Sequence, residues 1–313
     1  VAGFYGRDFL TLADWSGEQI RRILKLAAEL KGKLKQGQEH RLLEGKTLAM
    51  IFEKSSTRTR VSFEVGMWQL GGKALFLNPQ DLQMGRGEPI KDTARVLSRY
   101  VDAIMIRARK HETVEELARE ATVPVINGLT DRYHPCQVLA DLLTIQERCR
   151  NLREVKLAYV GDGNNVANSL LIGGAKMGMK VAVATPPEYA PRREVVRLAK
   201  KAAKESGGQV ILTSDPREAV SGAHVLYTDV WVSMGHEDEA PLRRRIMKPY
   251  QLNKALVNRA EVGAMVLHCL PAHRGEEITD QVFEEHAGEI MDQAENRLHV
   301  QKALLVLLLT PPA

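Results

Sequence analysis

Cysteine is scarce in this 313-residue chain. The three present, Cys136, Cys149 and Cys269, are too few and too far apart for a disulfide framework, and no CxxC pair offers the spacing of a zinc site. A reducing compartment, the cytoplasm, is expected. Neither sign of charge dominates: the net charge is +5, and lysines and arginines are spread along amphipathic runs such as Gln19 to Lys35 and Arg192 to Lys204 instead of forming a basic stripe, so no nucleic-acid partner is expected. Long apolar runs are missing too. "ALLVLLL" near the end is far too short to cross a bilayer, and "VAGFYGRDFL" at the start lacks the charged-then-apolar pattern of a signal peptide, so a soluble protein with no membrane partner is expected. Aromatics make up only 5%, yet 44% hydrophobic and 27% charged residues are ordinary for a globular protein. Low-complexity tracts and short repeats are absent as well.

What is present is an alternation. Short apolar, partly β-branched runs predict strands at Leu48 to Phe52, Ala74 to Leu77, Ala103 to Ile106, Val123 to Ile126, Lys156 to Val160, Lys180 to Ala184, Val210 to Leu212, His224 to Tyr227 and Met265 to Leu267, with helical periodicity between nearly all of them. Such βαβ repetition predicts an α/β protein with parallel sheets flanked by helices, and the chain length predicts two doubly wound domains. The amphipathic run Leu139 to Arg150 is the expected connection. The domains are placed at 1–148 and 149–288, with a C-terminal helix of about 289–310 packing back on the first.

In open parallel sheets ligands bind beyond the carboxyl ends of the strands. At one such end stands "EKSSTRTRVSFE". Val61, Val65 and Trp68 recur at i, i+4, i+7, with Phe63, Met67 and Leu70 on a neighbouring face, until Gly71 and Gly72 stop the helix. Arg58 and Arg60 therefore occupy the first turn, where the helix dipole favours acidic residues. A bound anion would supply the missing charge, received by free backbone N–H groups and the hydroxyls of Ser55, Ser56, Thr57 and Thr59. An ordinary serine N-cap with exposed arginines paired to Glu53 or Glu64 fits the same letters.

Arg107 ends the otherwise apolar "DAIMIR", as a ligand group or as half of a surface ion pair. In "HPCQ", Pro135 suits the first helical position, so His134 and Gln137 belong to a helix start, although a lone histidine is often structural. "VGDGNNVAN" follows a strand and suggests a dinucleotide fingerprint, but Val166 replaces its third glycine. Asp229 ends "HVLYTD", as a ligand or as a cap of the next segment. "VSMGHEDEAP", Val232 to Pro241, has the composition of a surface loop.

"SSTRTR", "MIRAR", "HPCQ" and "HCLPAHRGEE", in this order over almost the whole chain, resemble the aspartate/ornithine carbamoyltransferase family, and the second-half motifs are similar to its ornithine-specific members. The resemblance implies two α/β domains, the first holding carbamoyl phosphate. By motif, Ser56, Thr57, Arg58 and Thr59 would bind the phosphate, and Arg107, His134, Gln137, Cys269, the Leu270 carbonyl and Arg297 the carbamoyl group. Gln83, in "DLQMGRGE", would reach the site of a neighbouring subunit, in a trimer or a multiple of trimers. Asn165, Asp229, Ser233 and Met234 would bind ornithine, with Arg107, His134, Asp229 and Cys269 taking part in the chemistry. The implied reaction gives citrulline and phosphate with no metal or organic cofactor. The arginine-based recognition of a second carboxylate expected of the aspartate enzymes has no counterpart here. Transfer to another amine, such as putrescine or an N-acylated ornithine, is the nearest alternative, and a nicotinamide-dependent oxidoreductase resting on "GDGNNVA" is a more distant one.

Overall fold

The computed structural model describes residues 3–232 and 237–311, and the chain divides into two compact units, Val1–Ala140 with Asn296–Ala313, and Asp141–Glu295. The first contains α1 (Gly17–Lys35), β1 (Thr47–Phe52), α2 (Thr57–Gln69), β2 (Lys73–Leu77), α3 (Ile90–Leu97), β3 (Ala103–Arg107), α4 (His111–Glu120) and β4 (Val125–Leu129). After α5 (Pro135–Arg148) come β5 (Lys156–Val160), α6 (Asn165–Lys176), β6 (Lys180–Ala184), α7 (Arg193–Ser206), β7 (Gln209–Thr213), α8 (Pro216–Val220), β8 (Val225–Thr228), α9 (Ala240–Met247), α10 (Lys254–Val257), β9 (Met265–His268), α11 (Asp280–Glu285) and α12 (Ala287–Leu309). The division falls inside α5 and α12.

Both sheets are parallel, one of four strands in the order β2-β1-β3-β4 and one of five in the order β7-β6-β5-β8-β9. Their central strands are buried almost end to end, as expected when helices cover both faces. In each sheet the winding reverses beside its first strand, between β1 and β3 and between β5 and β8. These are the two switch points where crevices open beyond strand carboxyl ends.

Three local details depart from the sequence reading. In α2 the Phe63, Met67 and Leu70 face is buried, while Val61 is 51% exposed and Trp68 75%. Both faces of this helix are apolar, so periodicity alone could not tell which one faces the core. The fourth strand starts later than expected and runs through Asn127 and Gly128, which look like a turn. Asn127 fits because its N–H donates to the Phe9 carbonyl (2.9 Å) and its side-chain amide to the Leu10 carbonyl (2.9 Å), and Gly128 because a Cβ there would sit 2.7 Å from Met105 Sδ. The run Val232 to Pro241 is not all loop. Glu237–Glu239 form a 3-10 turn, and Pro241 lies in the first turn of α9, where its missing N–H costs nothing.

Candidate active site

The first switch point carries the hydroxyl-rich turn. Ser56 caps α2 by accepting from Thr59 N–H (3.3 Å), and Arg107 lies beside Phe52 in the sheet register, so the turn and the arginine leave adjacent strands together. Thr57 is exposed and Arg58 half-buried, whereas Thr59 is fully buried. Arg297 is only 2% exposed. Its guanidinium donates to the Thr59 hydroxyl (3.2 Å) and to Gln137 Oε1 (3.0 Å), and its Nε donates to Gln301 (3.0 Å). Arg297, which the resemblance assigns to the carbamoyl group, is thus a buried brace joining two other sequence-predicted residues. Arg60 belongs elsewhere: it lies 3.9 Å over the Phe76 ring and pairs with Glu64 at 3.3 Å, so the bland reading holds for the second arginine of the motif.

His134 precedes Pro135, the first residue of α5, and is buried. Burial, then the positive charges of Arg297, Arg107 and Arg58, push its imidazolium well below the usual histidine range. A neutral imidazole therefore sits within the field of three guanidiniums at a helix N-terminus, an arrangement suited to an anion. Cys136, one residue further, donates to the Asn127 carbonyl, and burial pushes its thiol up to about 12, so it is no nucleophile. Gln83 opens a 3-10 turn, Gln83–Arg86, with its side chain exposed.

At the second switch point Asn164 caps α6, its Oδ1 accepting from Val166 (2.9 Å) and Ala167 (3.2 Å). That fixes the amide so that Nδ2 donates to Asp229 Oδ2 at 2.7 Å. The other Asp229 oxygen accepts from Val230 N–H (2.8 Å) and from Cys269 Sγ (3.0 Å). Asp229 and Cys269, predicted separately, are thus joined by a hydrogen bond. Asn165 is the first residue of α6 and half-buried. Ser233 and Met234 lie outside the described residues.

The "HCLP" turn is held from beneath. Leu270, at φ 61°, lies in the left-handed region that a branched residue rarely adopts. Its N–H donates to His268 Nδ1 (2.8 Å), so His268 Nε2 carries the proton and donates to Glu277 (3.0 Å), both side chains being buried. The same carboxylate accepts from His273 N–H at 2.6 Å. Among the described residues, Asp229, His268 and Cys269 and also His273, Glu276 and Glu277 lie close enough to suggest a metal. These bonds leave neither ring nitrogen of His268 open, and Glu276 is paired with Arg244 (2.9 Å), so neither group has the character of a metal centre.

Asn164, His268 and Glu277 escaped the sequence reading. Their partners lie 65, 2 and 9 positions away. Only the asparagine left a signal, as the N-cap of a helix after "GDG".

Residues 7–147 match the carbamoyl-P binding domain of aspartate/ornithine carbamoyltransferases, and residues 153–308 match the Asp/Orn binding domain of the same enzymes. The chain belongs to the aspartate/ornithine carbamoyltransferase family. Within this family it is 61% identical over 304 residues to the ornithine carbamoyltransferase of Anoxybacillus flavithermus, covering 97% of each chain. It is 59% identical over 309 residues to the anabolic enzyme of Pyrococcus furiosus, covering 99% of this chain and 98% of the relative. Among solved carbamoyltransferase structures, ornithine carbamoyltransferase from Pyrococcus furiosus superposes with a TM-score of 0.95 at 58% identity, with 99% of both chains covered. The anabolic enzyme from Campylobacter jejuni gives 0.91 at 46% identity, with 96% of this chain and 97% of that one covered. Membership of the carbamoyltransferase family removes the dinucleotide reading of "GDGNNVA", and Val166, where the fingerprint needs glycine, is packed in the core.

Proposed function

We propose that this chain transfers the carbamoyl group of carbamoyl phosphate to the side-chain amine of L-ornithine, giving L-citrulline and phosphate. The observation that carries the first half is the field of Arg58, Arg107 and Arg297 around a neutral His134 at a helix N-terminus, which matches a phosphate dianion with an adjacent polar carbonyl. The second half rests on Asp229, a buried carboxylate whose three hydrogen-bond donors hold it for a cationic amino acid.

Ser56, Thr57, Arg58 and Thr59 receive the phosphate. Arg107, His134 and the Thr59 hydroxyl donate toward the carbonyl oxygen as negative charge develops on it, while Gln137, Arg297 and the Leu270 carbonyl fix the carbamoyl amide. A neutral His134 suits this role, because its N–H can donate without needing an acidic solution. Ornithine's δ-amine is lysine-like, with a reference pKa of about 10.4, so freeing it at neutral pH costs roughly 4 to 5 kcal/mol. The amine attacks the carbamoyl carbon, the carbon–oxygen bond to phosphate breaks, and the amine's proton leaves with the phosphate. Asp229 and Asn165, with Ser233 and Met234, grip the α-amino-acid end, and Cys269 faces the reacting end.

Carbamoyl phosphate is assigned chiefly to residues 1–148, on which the C-terminal helix of about 289–310 packs back, and ornithine to 149–288. The enzyme works in the cytoplasm as a homotrimer or a multiple of trimers, in which Gln83 reaches a neighbour's site. Exposed Val61, Trp68, Leu75 (46%) and Phe76 (39%) in α2 and edge strand β2 support a self-association surface. No helix among the described residues is long and apolar enough to cross a membrane.

Measuring citrulline and phosphate released from the two substrates tests the reaction. Equal amounts of each are expected, and phosphate without citrulline would remove the acceptor half of the proposal.

A further inference from the structure

Behind the bond from Asn164 to Asp229 lies a second, more deeply buried polar contact that the reaction does not use. Arg243, on α9, is 6% exposed, and its Nη1 donates to Asp162 Oδ2 at 3.0 Å. The same nitrogen reaches the Trp231 carbonyl (3.4 Å), Nε donates to Glu239 (2.8 Å), and the guanidinium lies 4.4 Å over the Tyr189 ring. Asp162 and Trp231 are not arbitrary anchors. Asp162 stands two residues before Asn164, whose N–H donates to the Asp162 carbonyl (2.8 Å), and Trp231 stands two residues after Asp229. One guanidinium therefore grips the chain on both sides of the Asn164–Asp229 hydrogen bond.

The turn between the two grips has little freedom of its own. Gly161 has φ 141° and Gly163 N–H donates to the Tyr189 carbonyl at 2.8 Å. A Cβ on Gly163 would meet that oxygen at 2.4 Å and Pro191 N at 2.5 Å, so the turn is pressed against the loop whose Tyr189 ring Arg243 covers. Desolvation raises Asp162 to about 6, and Arg243 is the largest influence opposing that rise. Without the arginine, a buried carboxylate two residues from Asn164 would lose its partner.

We infer that the Arg243–Asp162 pair is a positioning device for the acceptor amino acid: it locks the Asn164 turn to the Asp229 segment, so that the Asp229 carboxylate meets ornithine already oriented. This rests on the reading of Asp229 as the acceptor's carboxylate, and its prediction is specific to one substrate. Most of the residues assigned to carbamoyl phosphate, Ser56 to Thr59, Arg107, His134, Gln137 and Arg297, belong to the other compact unit, and Cys269 and Leu270, which share this one, make none of the contacts that Arg243 makes.

The test is steady-state kinetics of the full-length Arg243→Gln, Arg243→Lys and Arg243→Gln/Asp162→Asn variants, with carbamoyl phosphate binding measured by calorimetry and melting temperature alongside. Arg243→Gln should raise the ornithine KM about tenfold or more, with kcat changed less than about threefold and the carbamoyl phosphate Kd unchanged. Arg243→Lys should recover most of the KM, because it keeps the charge that Asp162 needs. The double variant should regain melting temperature, since no buried carboxylate is left alone, yet keep the raised KM, since the grip is still missing. An ornithine KM unmoved in Arg243→Gln overturns the inference. So does a KM that returns to normal whenever the melting temperature does, which would make the pair merely structural. An unmodified protein that makes no citrulline would instead overturn the function itself, a different outcome from either of these.

Discussion

Replacing Asp229 by asparagine keeps the shape of the side chain and removes its charge, and the donors around it set the cost of the change. The carboxylate receives three hydrogen bonds, from Asn164 Nδ2 on one oxygen and from Val230 N–H and Cys269 Sγ on the other. An asparagine amide has one oxygen. If that oxygen stays toward Val230, its NH2 faces the NH2 of Asn164; if it turns, its NH2 faces the Val230 N–H at 2.8 Å. Asn164 cannot rotate to help, because its own oxygen caps α6. One donor is therefore set against another in either orientation, a cost of about 1–3 kcal/mol to the fold. A further loss of about 1.5–3 kcal/mol falls on ornithine binding, the scale of a hydrogen bond to a charged group, or about 10- to 150-fold in KM. The two effects separate in Asp229→Asn/Asn164→Asp. The exchanged pair restores donor to acceptor, and aspartate still caps the helix. The melting temperature should return while the ornithine KM stays high, because the negative charge now lies against helix N–H groups. Calorimetry with carbamoyl phosphate should show unchanged binding throughout. An ornithine KM within about twofold of normal in Asp229→Asn, or loss of carbamoyl phosphate binding with a normal ornithine KM, refutes the assignment of Asp229 to the acceptor.

Arg58→Gln should leave the fold intact and lower kcat/KM by about 3 kcal/mol, since a charge-assisted bond to the departing phosphate is lost; near-normal turnover would remove Arg58 from the phosphate cradle. Mixing Gln83→Ala chains with Arg107→Ala chains should restore part of the activity that each lacks alone if Gln83 completes a neighbour's site, and activity in an isolated monomer peak would contradict that. Lys302 is fully buried on α12, donating to Gln69 (2.8 Å) and hydrogen-bonded to His40 (2.9 Å), and desolvation lowers it to about 8. Between about pH 8 and 10.5 the unfolded chain holds this proton and the folded one does not, so Lys302 makes stability rise with pH there, by up to about 3 kcal/mol. The melting-temperature difference between the unmodified protein and Lys302→Met should change steadily across that range, the unmodified protein gaining relative to the variant as pH rises, and a constant difference would show that the buried amine does not titrate as argued.

The sequence revealed what depends on local order. The alternation of apolar runs placed every strand near its observed position, and "SSTRTR" announced a helix start whose Ser56 cap is present. Hidden in the sequence was whatever depends on partners that folding brings together. Only the family resemblance singled out Arg297; by its own neighbours in the chain it reads as an exposed helical arginine, because Thr59 and Gln137 lie 238 and 160 residues away. Arg243 is likewise one of several arginines in "LRRRIM" until Asp162, 81 residues earlier, is placed beside it. The two apolar faces of α2 were ambiguous for the opposite reason: Val61 and Trp68 have the spacing of a core face, and only packing shows that Phe63 and Met67 fill the core. An exposed apolar face cannot be told from a core stripe by period.

The identity of the acceptor decides the reaction. Ureido product formed from carbamoyl phosphate with ornithine, aspartate, putrescine, lysine and acetylornithine in parallel reveals it. A carboxylate at Asp229 that recognises an α-ammonium, together with a site for a side-chain amine, predicts that ornithine exceeds every other acceptor in kcat/KM by at least about a hundredfold. Putrescine lacks the carboxylate and acetylornithine the free α-ammonium, each a loss on the scale of one or two charged contacts. Equal or faster turnover of putrescine, aspartate or acetylornithine would rule out ornithine as the acceptor that Asp229 selects.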